Sequence, residues 1–308
     1  MFAIYRRELQ GFFGTLVGFG ITGAFVVVMM LLSLMLDPLS GGGDWFKRGE
    51  LTMRTFFGVF PWVAAVVLPA VAMRLWAEDR RQATFEMLMT LPIPTWKVAL
   101  GKYFAALTFL LFMLAATCVY PIMLAQWGSP DWGPVMGGYV ACFVLGAAFV
   151  AVGMFVSGLT DNQALAFFIA LLMCLGIVGV GELRGLLGDL ARTNSLAAMT
   201  HLITVPVFLL GMLAAAVGRD RALGGGLAAL AVAVNAGIYL VPPDPNKIGQ
   251  VNSGAETVIA ALGQVSVLEH FKEIGRGVLT TNSLIFFASY VLLFVVLNVM
   301  SLESRRYS

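Results

Sequence analysis

The stretch Trp76–Lys102 reads WAEDRRQATFEMLMTLPIPTWKVALGK and is the longest charge-bearing segment near the middle of an otherwise apolar chain. Its first part is polar from Glu78 to Gln82, and its second part, Phe85–Leu91, is apolar apart from Glu86 and Thr90. We predict one helix that ends at Leu91, because a residue before proline is disfavoured in the α region. We call residues 76–102 the elbow and interpret it as a helix along a membrane surface with a charged end presented to a soluble partner. The alternative is an ordinary loop whose charges only fix the membrane topology.

The composition indicates a membrane protein. Of the 308 residues, 59% are hydrophobic and 12% are charged, whereas a soluble domain carries about 25% charged residues. The mean hydropathy is +0.89. The formal net charge of +2 gives no indication of nucleic-acid binding. The three cysteines, Cys118, Cys142 and Cys174, lie in apolar segments and lack the spacing of a metal site.

The apolar segments predict an all-α, polytopic membrane protein that forms a single transmembrane domain over residues 1–308. Residues 1–14 mix Arg6 and Arg7 with apolar side chains, as in an interfacial helix that leads into the first span. Residues 182–262 are interpreted as an inserted hairpin and outer loop, with a re-entrant pair as the alternative to a spanning hairpin at Leu202–Val241. With the hairpin, the total is about eight spans, since about 20 apolar residues cross the hydrocarbon core. The other six are expected at about Leu16–Leu36, Phe56–Leu75, Tyr103–Ala125, Val135–Val156, Ala164–Val180 and Leu284–Met300.

Basic residues set the predicted orientation. With the N-terminus inside, the cytoplasmic loops and termini together hold 11 of the 19 Lys and Arg residues, a modest bias in the direction of the positive-inside rule. Both termini and the elbow are then cytoplasmic, and the polar loop Pro242–Thr281 lies outside. The expected location is the inner or plasma membrane.

The sequence gives no indication of catalytic or metal chemistry in this chain. No Walker A pattern occurs, because Gly101-Lys102 is followed by Tyr103, where a P-loop requires Ser or Thr. The spans hold almost no ionisable residues, which argues against an ion-coupled carrier. His201 and His270 have no second ligand at zinc-site spacing on an obvious helix face. If transport is ATP-driven, we therefore expect the ATPase to be another chain.

Four patches resemble ABC-2 type transporter permeases. In the elbow, Glu78-x-Arg80-Arg81-x-x-Thr84-x-Glu86-x-Leu88-x-x-Leu91-Pro92 resembles the signature loop of that family, although Ala83 replaces the usual glycine before the threonine. The last patch, which begins at His270-Phe271, is similar to the closing segment of the gliding-motility-associated and NosY-like subfamily. The other three patches are Tyr5–Leu9 with Phe12-Phe13, Ser157–Phe167, and the closing segment from His270-Phe271 through Phe286-Phe287 to Arg305-Arg306.

The resemblance implies a membrane-spanning permease subunit of an ATP-driven exporter, not itself an enzyme, with the elbow as the coupling helix that docks on a separate ATPase subunit. It also implies a second permease subunit, identical or related. This chain would hold no cofactor, and ATP and Mg²⁺ would bind to the partner ATPase. A membrane scaffold or assembly protein without a transport cycle is the alternative. The expected coupling residues are the charged Glu78, Arg80, Arg81 and Glu86, the motif threonine Thr84, the anchor residues Phe85 and Leu88, and the turn residue Pro92.

Overall fold

The computed structural model describes residues 1–39, 53–81, 84–90, 93–127, 130–193, 226, 229–230, 232–234, 260–261, 263–278 and 280–306. These residues form helices and short connections, with no β-strand among them, so the predicted all-α class is confirmed. The named helices are α1 (Phe2–Phe13), α2 (Leu16–Leu39), α3 (Arg54–Ala72), α4 (Arg74–Arg81), α5 (Thr84–Thr90), α6 (Thr95–Thr117), α7 (Val119–Trp127), α8 (Trp132–Leu159), α9 (Gln163–Thr193), α10 (Val267–Gly275) and α11 (Thr281–Arg306).

Among the described residues, 6 helical segments are long and apolar enough to cross a membrane. They overlap the six spans predicted outside the inserted region, and they make the chain a multi-pass membrane protein. The predicted hairpin at Leu202–Val241 lies outside the described residues except for isolated positions, so the total of about eight spans stays a prediction. The six segments are Leu16–Ser33, Arg54–Arg81, Thr95–Gln126, Trp132–Leu159, Gln163–Glu182 and Thr281–Ser304.

Two of these segments contain a break that the hydropathy did not predict. α3 and α4 are separated only by Met73, so the second segment continues beyond its predicted end into the elbow. α6 and α7 meet at Cys118, whose backbone N–H donates to the carbonyl of Ala115 at 3.1 Å. This tighter turn ends α6 at Thr117 within the predicted third span.

α8 is the central helix of the first compact unit, which comprises residues 1–178 and 267–308. It packs most extensively against α3 and α11, and also against α10, α6 and α4. Glycines allow this crowding: a Cβ atom at Gly138 would overlap the Phe57 ring, and one at Gly153 would lie 2.5 Å from the Cβ of Ala72. The second unit comprises residues 179–266, of which the structure describes the end of α9 and the separate positions given above.

α10 is a helix within the segment that we predicted to be a polar outer loop. Its buried side chains recur at helical spacing, and the helix packs mainly against α8 and also against α11. Phe271 stacks on Phe60 with the ring centres 6.3 Å apart. After α10 the chain turns at Gly277, whose φ of +84° suits glycine, and a Cβ at Gly137 would lie 2.7 Å from its Cα. The buried residues of α10 are Val267, Leu268, Phe271 and Ile274.

Candidate functional site

The elbow, predicted as one helix up to Leu91, contains two helices, and this part of the prediction is wrong. α4 ends at Arg81, and α5 begins at Thr84. The Thr84 hydroxyl donates to the backbone carbonyl oxygen of Asp79 at 3.1 Å, and a carboxylate oxygen of the same residue lies 3.3 Å away as a second acceptor. Such local side-chain bonds offer the backbone an alternative to a continuous helix. The hydroxyl of Thr84, the motif threonine, therefore links the start of α5 to Asp79 in α4.

Ser157, near the end of α8, holds the junction between α3 and α4. Its hydroxyl donates to the carbonyl of Met73 at 2.8 Å. The same oxygen accepts hydrogen bonds from the backbone N–H groups of Trp76 at 3.1 Å and Ala77 at 3.2 Å. Ser157 is fully buried, so its hydroxyl takes the place of water for three backbone groups at the helix break. The elbow thus begins at a fixed point on α8.

The Arg80 side chain is almost fully buried and contacts other parts of the same chain. Its side chain is 7% exposed, and its guanidinium donates to Asp161 Oδ1 and to the carbonyl of Gly158, each at 2.7 Å. The guanidinium carbon also lies 4.6 Å from the centre of the Phe85 ring. A planar guanidinium can donate hydrogen bonds to two acceptors and at the same time lie over the face of an aromatic ring. Arg80 therefore joins α4 to α5 and to the turn between α8 and α9.

Four charged side chains form a cluster beside the elbow: Arg7, Glu8, Asp79 and Lys102, called the tetrad below. The Lys102 ammonium lies 2.8 Å from Glu8 Oε1 and 2.7 Å from Asp79 Oδ2. Arg7 Nη2 lies 2.7 Å from Glu8 Oε1 and 3.2 Å from Asp79 Oδ1. The Lys102 side chain is only 1% exposed, and its ammonium lies 5.0 Å from the centre of the Trp76 ring. Two positive and two negative charges balance, as buried charges require.

Arg7 stays charged in this cluster. Its partial burial acts to lower the pKa of the guanidinium, because burial disfavours the charged form. The hydrogen bond to Glu8 and the nearby charge of Asp79 outweigh that effect, so the pKa of Arg7 is raised above its ordinary value. An arginine is protonated over the whole physiological range in any case, so the raised pKa reflects the attraction of Glu8 and Asp79 for its charge.

Comparison with known proteins decides the family. The family model described as "ABC-2 family transporter protein" matches residues 50–217, which is more than half of the chain and includes the elbow. The chain belongs to the ABC-2 transporter family. This ABC-2 permease is also 31% identical over 91 residues to the protein named "Probable multidrug ABC transporter permease YbhR" of Escherichia coli strain K12, and equally to its namesake in Escherichia coli O157:H7. The match covers 30% of this chain and 24% of each relative, and no solved structure matches the chain.

Several predicted coupling residues of this ABC-2 permease face its own core. Phe85 is half-buried, and its ring meets that of Trp76 edge-on with the centres 6.1 Å apart. Leu88 is 7% exposed, and Thr84 and Arg80 are engaged as described above. These residues pack the elbow onto the bundle, while their predicted role toward an ATPase stays a prediction.

Other parts of the elbow face outward. Arg81 is exposed at the end of α4, and Glu78 is half-buried. Met87 is 74% exposed and Trp96 is 47% exposed, although neither belongs to the predicted set. The remaining predicted residues are Glu86, which lies in α5 with its side chain outside the described part, and Pro92, which like Ala83 lies outside the described residues.

Sequence reasoning missed the tetrad and Ser157. Asp79 and Lys102 were recognised only as charges of the elbow, and Arg7 and Glu8 only as part of the interfacial helix. One signal was available, because charges that flank apolar spans in so apolar a chain usually find partners of opposite sign. The sequence did not indicate which charges pair.

His270 takes part in a polar contact between α10 and α11. Its Nδ1 lies 3.0 Å from the hydroxyl oxygen of Ser283, which donates to Glu273 Oε2 at 2.7 Å. The imidazole also stacks on Phe286 with the ring centres 4.3 Å apart. Within the described ranges, no three His, Cys, Asp or Glu side chains form a group that could hold a metal ion, and His201 lies outside those ranges.

Proposed function

We propose that this chain is the membrane-spanning permease subunit of an ATP-driven exporter, which couples ATP hydrolysis by a separate ATPase subunit to movement of a substrate. The observation that carries the proposal is the family match over residues 50–217, because this range contains the elbow and the spans on both sides of it. The name of the relative YbhR, which describes a probable multidrug transporter permease, agrees with a transport role.

The elbow is suited to transmit a movement because it is attached to the bundle and exposed on another side. Ser157 and Arg80 attach it to the end of α8, and Arg81 and Met87 point outward. We propose that ATP binding closes the ATPase pair and displaces the elbow, and that α3 and α6 follow because they flank it directly. Such coupling requires two arrangements whose populations depend on the nucleotide.

The proposal includes the assembly and its location. Two permease chains, identical or related, would associate in the inner or plasma membrane with both termini in the cytoplasm, and ATP and Mg²⁺ would be held by the ATPase subunits. The closing segment from His270 to Arg306 supports membership in the gliding-motility-associated and NosY-like subfamily.

The docking surface is tested with exposed residues, because replacing Phe85 or Leu88 would disturb the fold. The variant Arg81→Glu with Met87→Asp should weaken ATPase binding about tenfold or more, as expected for a central contact of an interface. Its unfolding temperature should stay close to that of the wild type. The matched control is Arg276→Glu with Val278→Asp, since both residues are exposed near α10, on the predicted outer side.

Two outcomes would contradict the proposal. If the elbow variant retains the ATPase as well as the control does, the elbow is not the docking surface. If the wild-type chain is recovered from its membrane without any ATPase, the transporter assignment fails and the scaffold alternative is favoured.

A further inference from the structure

The tetrad connects three segments that are far apart in the sequence. Arg7 and Glu8 belong to α1, Asp79 to α4, and Lys102 to α6. Lys102 is its central member, because its ammonium contacts the carboxylates of both α1 and α4. Arg7 makes a second link between α1 and α4 through Asp79.

α1 also packs along α6 through contacts that do not involve these charges. A Cβ atom at Gly101 would lie 3.2 Å from the carbonyl oxygen of Met1, so the two helices approach closely next to Lys102. Further along, the hydroxyls of Tyr5 and Thr108 lie 3.0 Å apart. The tetrad adds α4, the first helix of the elbow, to this contact.

Stability alone is a poor explanation for the burial of Lys102 between two carboxylates. Apolar side chains of similar size often stabilise a fold as well as a buried ion pair does, because the desolvation of the ions offsets their attraction. A charge with two short contacts, in contrast, restricts the relative positions of the groups that it joins. Lys102 has this arrangement, since its two contacts are short and its side chain is almost fully buried.

We propose that Lys102 is a positioning residue that makes α1 and the elbow move as one body. A displacement of the elbow then reaches α1 and, through the chain connection at residues 14–15, the first span α2. The inference rests on the proposed function only for the source of that displacement, which is the ATPase. The tether itself is a property of this chain and is measurable without a partner.

The first experiment uses the chain alone in lipid nanodiscs. Spin labels are placed at Arg6→Cys on α1 and Arg81→Cys on α4, both exposed positions, after the three native cysteines are replaced by alanine. The test variant combines Lys102→Met with Asp79→Asn, which removes one positive and one negative charge and leaves Arg7 paired with Glu8. Because no uncompensated buried charge remains, this variant should fold even where Lys102→Met alone does not.

We expect the distribution of distances between the two labels to be narrow in the wild type and clearly broader in the test variant. The matched control, Lys97→Met with Glu303→Gln, also removes one charge of each sign, at positions that are partly or fully exposed, and should retain the narrow distribution. Lys102→Arg should retain it as well. A test variant with the distribution of the wild type would overturn the proposal.

The second experiment uses the complex with the ATPase, with and without a non-hydrolysable ATP analogue. Here the label on α4 is moved to Arg74→Cys, a half-buried position at the start of that helix and outside the proposed docking surface. In the wild type, the distance between residues 6 and 74 should stay constant, while that between residue 74 and a label at Trp132→Cys should change. In the test variant the nucleotide should alter the 6–74 distance, and stimulation of ATP hydrolysis should fall by about fivefold or more. A wild-type 6–74 distance that changes with nucleotide as much as in the variant would overturn the proposal. The absence of an ATPase partner would instead refute the proposed function, and the first experiment would still decide whether Lys102 tethers α1.

Discussion

The ammonium of Lys102 lies 2.7 Å from the Asp79 carboxylate, so the two ends of the elbow are joined by a buried ion pair. The intervening residues include α5, whose exposed Met87 projects away from the bundle. The elbow is thus a loop whose two ends are joined to each other, which suits the transmission of movement that we propose for it.

Replacement of Lys102 by methionine should destabilise the protein by about 3–5 kcal/mol, the usual cost of leaving buried charges without their partner. Two carboxylates, of Glu8 and Asp79, would then share the single cation Arg7. The measurement is the unfolding midpoint in detergent. Lys97→Met is the control, since Lys97 is only partly buried, and equal midpoints for the two variants would contradict the buried tetrad.

Ser157→Ala should lower the free energy of unfolding by about 1–3 kcal/mol, because three backbone groups at the α3–α4 junction would lose their partner. Ser289→Ala removes a hydroxyl that is bonded to a backbone carbonyl at an exposed site of α11, and it should have a much smaller effect. Unfolding midpoints measured under identical conditions decide between them. A Ser157 variant as stable as the Ser289 variant would mean that the hydroxyl does not hold the junction.

Gly138→Ala should destabilise the bundle by about 1–3 kcal/mol through overpacking, since the added methyl group would overlap the Phe57 ring. At Gly176, in contrast, a Cβ atom meets nothing within 4 Å, and Gly176→Ala should be neutral or slightly stabilising because alanine favours the helix. Thermal unfolding of both variants checks the contact between α3 and α8. The reverse order of stability would show that these helices do not approach as described.

A cysteine placed in the turn Arg219–Arg221 should react with a membrane-impermeant reagent only from the cytoplasmic side. The reason is the positive-inside rule applied to the predicted hairpin, which lies outside the described residues. Labelling of intact cells and of inverted vesicles is compared in a background without Cys118, Cys142 and Cys174. Reaction from the outside would rule out the spanning hairpin and favour the re-entrant pair.

The spans were predictable because each depends on local properties, namely length and apolarity, which the sequence displays directly. α10 was also predictable from the sequence, since Val267, Leu268, Phe271 and Ile274 recur at helical spacing. The polarity of the segment Pro242–Thr281 as a whole indicates a loop and hides this short helical pattern.

The candidate site was less predictable, because its contacts join distant parts of the chain. Glu8 is 94 residues from Lys102, and nothing in the local pattern of either segment specifies that pair. Arg80 matched the family motif, yet its motif position did not reveal that it would turn toward Asp161 and Gly158. At the start of α5, the Thr84 hydroxyl bonds to the backbone carbonyl of Asp79, and helix propensity does not capture such local competition for backbone groups.

The proposed permease function is tested by a gentle detergent purification of this chain from its native membrane, with the recovered partners identified by mass. We expect a soluble protein with a Walker A motif in a fixed ratio to the chain, and its loss when Arg81 and Met87 are replaced by acidic residues. Recovery of the chain alone, or only with other membrane proteins, would contradict the proposal that it is the permease subunit of an ATP-driven transporter.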